Sequence, residues 1–155
     1  HLKRARAVNL FGIGASRLVA HDLAQKLMRV DKECHLYDDW HDQLLCAKNM
    51  HEGDMAIAFS YSGLTQEVLD CTVEAQRHNC PVVAVTKVDG SSKLATMADA
   101  VLGVAASEPL VRSGAMASRM AQLMVVDALY AAYVASDYER ATHVIKQNYI
   151  EKQER

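Results

Sequence analysis

Short apolar runs alternate along this chain with stretches of helical periodicity, and that alternation leaves few folds open. Residues 8–13 (Val-Asn-Leu-Phe-Gly-Ile) form an apolar run ending in glycine, the pattern of a buried strand. Residues 16–30 then place Val19, Leu23, Leu27 and Val30 three or four apart, which predicts a helix. A second strand is predicted over 33–37, followed by a helix through Leu44, Leu45 and Ala47. Residues 54–60 are continuously rather than alternately apolar, which favours a strand covered on both faces. A helix over 65–79 puts Val68, Cys71 or Thr72, and Ala75 on one side. The fourth strand, 81–86, opens on Pro81, a permitted place for proline. A short helix over 91–97 and a fifth strand over 100–106 complete the series.

The segment 114–135 then reads as one long helix, apolar on nearly every side, which predicts burial in the core or against another subunit. A final helix is predicted over about 138–152, with Ala141, Val144, Ile145 and Asn148 at helical spacing. Strands alternating with helices of this length indicate βαβ units. The predicted fold is α/β: a three-layer α/β/α sandwich around a five-stranded parallel sheet. It is expected to be a single domain over 1–155, with its core at about 8–135.

A chain of 155 residues, half of them hydrophobic and 23% charged, can bury a core without disulfides. Its net charge of −2 lacks the basic excess of a stand-alone nucleic-acid binder. No run approaches the length of a membrane span and no signal-peptide pattern leads the chain, so a cytoplasmic protein without membrane contact is expected. Cys34, Cys46, Cys71 and Cys80 show no metal-binding spacing and read as reduced thiols. The histidines form neither HxxxH nor HExxH, so no metal and no cofactor are expected. The chain starts at His1, and its first strand starts within ten residues, as in a piece of a longer protein.

In parallel sheets, ligands sit beyond the carboxyl ends of the strands. After strand one comes Gly12-Ile13-Gly14-Ala15-Ser16-Arg17. Gly14 and Ser16 allow a tight turn and a close approach of helix N–H groups to an anion. The same residues also fit a plain strand–helix turn capped by Ser16. A dinucleotide fingerprint, with Asp38 or Asp39 as the ribose acid, fails where Arg17 replaces its third glycine.

After strand three, Ser60, Ser62 and Thr65 cluster around Gly63 just before a helix. The cluster also fits an ordinary helix start capped by Ser62 or Thr65, but one cap needs one hydroxyl, so three point to a phosphate site built from hydroxyls and helix N–H groups. Neither GxxxxGK[ST] nor GxSxG is present.

After strand two, Asp39 can cap a helix, with Trp40 and His41 either packed and solvated or presented to a sugar. After strand five, Glu108 and Arg112 could reach sugar hydroxyls or a carboxylate. Arg119, inside the long helix, reads as structural, with an acid such as Asp127 as its partner.

With these loops in place the chain resembles a sugar isomerase (SIS) domain, a flavodoxin-like phosphosugar-binding module, over about residues 8–135. The likeness rests on Gly12-Ile13-Gly14-Ala15-Ser16 and on Ser60-Tyr61-Ser62-Gly63-Leu64-Thr65-Gln66-Glu67. Tyr37-Asp38-Asp39-Trp40-His41, Val83-Ala84-Val85-Thr86 and the segment from Arg112 through Arg119 to Leu123 are most similar to the effector domain of RpiR-type bacterial transcription regulators.

That resemblance implies that Ser60, Ser62, Thr65 and Ser16 hold the phosphate of a sugar phosphate and that His41 touches the sugar. It implies a homodimer formed through the helices, and DNA contact only through an N-terminal helix-turn-helix domain that these residues do not include. Regulators with this segment tend to answer to N-acetylated amino-sugar 6-phosphates, others to sugar-acid phosphates. The alternative is a phosphosugar isomerase or lyase, with Glu67, Glu108 or His41 moving the proton between C1 and C2.

Overall fold

The computed structural model describes residues 1–105 and 114–150. Its elements run β1 (Val8–Gly12), α1 (Ala15–Met28), β2 (Cys34–Leu36), α2 (Trp40–Lys48), β3 (Met55–Phe59), α3 (Gln66–Arg77), β4 (Val82–Lys87), α4 (Lys93–Met97), β5 (Ala100–Val104), α5 (Met116–Ala135) and α6 (Tyr138–Gln147). The strands form one sheet in the order β2-β1-β3-β4-β5, every pairing parallel. This is the predicted five-stranded α/β fold, with the strand order of flavodoxin-like proteins.

The sidedness of the sheet follows from residue size along each central strand. On β3, Met55, Ile57 and Phe59 join Val8 and Leu10 of β1 and Val83 and Val85 of β4 on one face. That face packs on Val19, Ala20, Leu23 and Leu27 of α1 and Val126 of α5. The intervening residues, Ala56 and Ala58 of β3, Val82 and Ala84 of β4 and Phe11 of β1, point the other way. They meet Ala47 of α2, Val68, Leu69, Cys71 and Ala75 of α3 and Leu94 of α4. Small residues there let α3 lie close to the sheet, and Phe11 fills the space beside them. β1 and β3 are buried at every position, as continuous apolar runs require.

Several expectations are corrected. The second strand is confined to Cys34–Leu36, and β5 ends at Val104 with Ala100 and Val101 exposed, because it forms an edge of the sheet. The long helix begins at Met116, not 114, since Gly114 and Ala115 both take positive φ (89° and 54°) and cannot lie within a right-handed helix. Its expected burial on all sides does not occur within one chain. Ser118, Gln122 and Val126, four apart, are buried, whereas Met116, Met120 and Met124 on another face are 64%, 59% and 71% exposed. The last helix ends at Gln147 rather than near 152; Asn148 caps it and its amide donates to the Arg29 carbonyl at 3.5 Å.

All four cysteines are free thiols. Burial pushes Cys34 and Cys71 up to about 12 and Cys46 up to about 11, so none of these three is a thiolate nucleophile at neutral pH.

Candidate functional site

β1 and β3 are neighbours in the sheet, with Gly12 paired to Phe59 at their carboxyl ends. The chain leaves β1 for α1 on one face and leaves β3 for α3 on the other. This is the topological switch point, where two helix N-termini diverge and open a crevice above the strands.

The β1–α1 turn is held from below by Gln43, a buried residue of α2. Its Oε1 accepts from the Gly12 N–H at 3.0 Å, and its Nε2 donates to the carbonyls of Gly12 (3.1 Å) and Tyr37 (3.0 Å). Gly14, at φ 58°, is the N-cap of α1, and no side chain caps that helix. The reading of Ser16 as a cap is therefore corrected. Ser16 lies inside the first turn, and its hydroxyl accepts from Gln122 Nε2 at 3.3 Å. In the first turn of α1 the Arg17 N–H donates to the Gly14 carbonyl at 3.1 Å, while the N–H groups of Ala15 and Ser16 precede any helix carbonyl that could accept them and carry the partial positive charge of a helix N-terminus.

The β3–α3 loop is built around its hydroxyls. Ser60, almost fully buried, lies 2.9 Å from Thr65 Oγ1 and accepts the Gly63 N–H at 3.1 Å. Ser62 Oγ accepts from the Leu64 N–H at 3.2 Å. Thr65 occupies the N-cap position of α3 but makes no side-chain cap bond, so neither it nor Ser62 caps that helix with its hydroxyl. Gly63 sits at φ 67°, where a Cβ would fall 1.8 Å from Ser92 Oγ. Ser92 in turn caps α4 through the Ala95 N–H and lies 2.9 Å from the Thr86 hydroxyl. The loop is thus clamped between the end of β4 and the start of α4, with the Leu94 N–H donating to the Gly63 carbonyl at 3.0 Å.

At the end of β2, Asp39 caps α2 by accepting the His41 N–H at 2.7 Å, as expected. Trp40 does not pack into the core: it is 38% exposed, and His41 beside it is exposed. The Arg17 guanidinium forms an ion pair with Asp38, so the acid considered for a ribose is already engaged by the residue that replaces the third glycine. Asp127, considered as the partner of Arg119, pairs instead with Lys26 at 2.9 Å. Glu108 and Arg112 lie outside the described residues.

The structure therefore places the Gly14–Ser16 turn and the Ser60–Ser62–Thr65 loop at adjoining strand ends, with His41 in the first turn of α2, just after the β2–α2 loop that Arg17–Asp38 ties to the first. Sequence reasoning gave no role to Gln43, Gln122 or Ser92. A glutamine at a core-facing helical position was the available signal for the first two. Among the described residues no three His, Cys, Asp or Glu side chains gather as a metal site would require.

Hydroxyls and N–H groups at two adjoining helix N-termini are of a kind that suits a phosphorylated ligand, and comparison with known proteins narrows the family. The SIS domain family matches residues 1–132. The chain belongs to the SIS domain family. An uncharacterized HTH-type transcriptional regulator of Caldanaerobacter subterraneus subsp. tengcongensis is 39% identical over 137 residues, 88% of this chain and 48% of that protein. The structure of Vibrio vulnificus NanR complexed with ManNAc-6P superposes with a TM-score of 0.86 at 29% identity, covering 94% of this chain and 55% of that one. The sugar isomerase domain of an RpiR transcription factor from Sphaerobacter thermophilus shares the fold at a TM-score of 0.81 and 23% identity, over 94% of this SIS domain and 79% of that chain. The SIS domain described here spans about half the length of the curated relatives it matches. No helix among its described residues is long and apolar enough to cross a membrane.

Proposed function

We propose that this SIS domain is the ligand-sensing part of an RpiR-type transcription regulator and binds a sugar phosphate, with an N-acetylated amino-sugar 6-phosphate the favoured class. The observation that carries the reading is the Ser60–Ser62–Thr65 loop. The Thr65 hydroxyl is not spent on capping α3, and the loop follows β3, whose end is paired with the end of β1 that leads to Ser16. Hydroxyl and N–H donors can hold a phosphate dianion without a lysine or arginine. His41 would meet the sugar from the α2 side, and Glu108 and Arg112 would reach it from the segment after β5. DNA contact would come through a helix-turn-helix domain outside these residues, in a cytoplasmic regulator. The relatives named as HTH-type regulators, and NanR with ManNAc-6P, support this reading.

The second reading is a phosphosugar isomerase or lyase. Glu67, in the first turn of α3, is its best-placed described carboxylate. Incubation with a panel of hexose and hexosamine 6-phosphates separates the two. The sensor reading expects binding of an amino-sugar phosphate, seen as a thermal shift, with no turnover. Turnover that disappears in Glu67→Gln would establish the enzyme instead.

The exposed Met116–Met120–Met124 face of α5 supports a homodimer, since a continuous apolar strip of this kind is seldom left to water. Wild-type protein is expected to sediment as a dimer at micromolar concentration, and Met120→Glu/Met124→Glu as a monomer. A monomeric wild type would remove the proposal. Ligand could then act on DNA binding by favouring one dimer arrangement through differential affinity.

A further inference from the structure

Gln122 sits in the middle of α5, 1% exposed, and among the described residues its side chain makes one hydrogen bond, from its Nε2 to Ser16 Oγ in the first turn of α1 at 3.3 Å. Its Oε1 is buried and finds no hydrogen-bond partner among the described residues. A primary amide in a core position leaves a polar atom unsatisfied where leucine or methionine would pack without loss, so packing does not account for the residue. The direction of its one bond does. A serine hydroxyl has one proton and two lone pairs. With a lone pair of Ser16 Oγ taken by the Gln122 N–H, the Ser16 proton is left to be donated outward. If the amide carbonyl faced Ser16 instead, it would take that proton, and the hydroxyl would present only lone pairs to an anion.

We infer that Gln122 is a positioning residue of the ligand site: its amide N–H fixes the Ser16 hydroxyl as a hydrogen-bond donor toward the phosphate. The inference rests on the phosphosugar reading, and it assigns α5 a part in recognition that reaches the crevice from beneath. It also makes α5 a shared element, because the same helix carries the exposed methionines on another face.

The test is a double-mutant cycle read by calorimetric titration of N-acetylmannosamine 6-phosphate at pH 8, where the phosphate is dianionic. Gln122→Met keeps the length and unbranched shape of the side chain and removes the amide. Gln122→Met and Ser16→Ala are each expected to weaken binding about tenfold, a typical loss for a hydrogen bond to a charged group. The double variant should bind no more weakly than Ser16→Ala alone, because the amide acts only through that hydroxyl.

A merely structural glutamine would weaken binding in the Ser16→Ala background as well, so multiplicative losses overturn the inference. Affinity of Gln122→Met within twofold of wild type also overturns it. Both results leave the phosphosugar reading standing, whereas a wild type that binds no member of the sugar-phosphate panel overturns both. Should Gln122→Met fail to fold, Gln122→Glu serves. Its carboxylate takes the Ser16 proton and is expected to weaken binding about a hundredfold; unchanged affinity in that variant would overturn the inference.

Discussion

Gly63→Ala is expected to destabilise the domain by about 2–4 kcal/mol and to abolish phosphosugar binding, the largest effect of any single methyl group in the crevice. Two costs coincide at this residue. Its φ of 67° is a left-handed conformation that an L side chain adopts only with strain of roughly 1–2 kcal/mol. The added Cβ would also fall 1.8 Å from Ser92 Oγ and 2.9 Å from Ser92 Cα, so a side-chain rotation cannot relieve the overlap and backbone must move. Ser92 is not free to retreat, since it caps α4 and shares a hydrogen bond with Thr86. The loop would have to shift away from α4, breaking the bond from the Leu94 N–H to the Gly63 carbonyl. Chemical denaturation of Gly63→Ala checks this; a loss no larger than the roughly 1–2 kcal/mol conformational part would show that the contact with Ser92 contributes nothing.

The second large effect is expected in the double variant Ser60→Ala/Ser62→Ala. It should lose about 2–4 kcal/mol of sugar-phosphate affinity, roughly 30- to 1,000-fold, while remaining folded. The loop survives because the Gly63 N–H keeps a backbone acceptor, the Ser60 carbonyl at 3.0 Å, when the Ser60 hydroxyl is removed. Thr65 retains its N-cap position, which rests on backbone geometry rather than on its side chain. What disappears is a pair of hydroxyl donors. Because the two serines lie in one loop, their single losses need not add, and the double variant is the decisive one. Unchanged affinity would place the phosphate elsewhere, and the hydroxyl cluster would then be only a way of bracing the loop.

How much of this could be read from the chain depends on the residue. The continuous apolar run before Ser60 is legible as a doubly covered strand because no polar side chain interrupts it, and β3 is buried throughout. Gly63 was legible as a turn glycine, but its closeness to Ser92, 29 positions along, was not. Asp39 was readable as a cap because capping is local, with donor and acceptor two residues apart. Of the two readings of Ser16, the cap is the one that fails, because local rules saw no partner other than its own helix. Its partner, Gln122, is 106 residues away. The long helix was legible only in part. Composition gives an apolar helix, but which of its faces meets the rest of the chain depends on how α5 lies against α1, and the buried ridge is Ser118, Gln122 and Val126.

The sequence by itself determined the layers, the number and direction of the strands, and which loops stand at their carboxyl ends. Each of these follows from periodicity and from the short-range sterics of glycine, proline and apolar runs, which act within a few residues. Tertiary structure alone decided the clamp of Gln43 on the β1–α1 turn, the lock of Gly63 against Ser92 and the contact of Gln122 with Ser16. Those contacts join residues far apart in the chain. They exist because packing five strands and their helices into one core brings such side chains within hydrogen-bonding distance, and no local pattern records which pairs will meet.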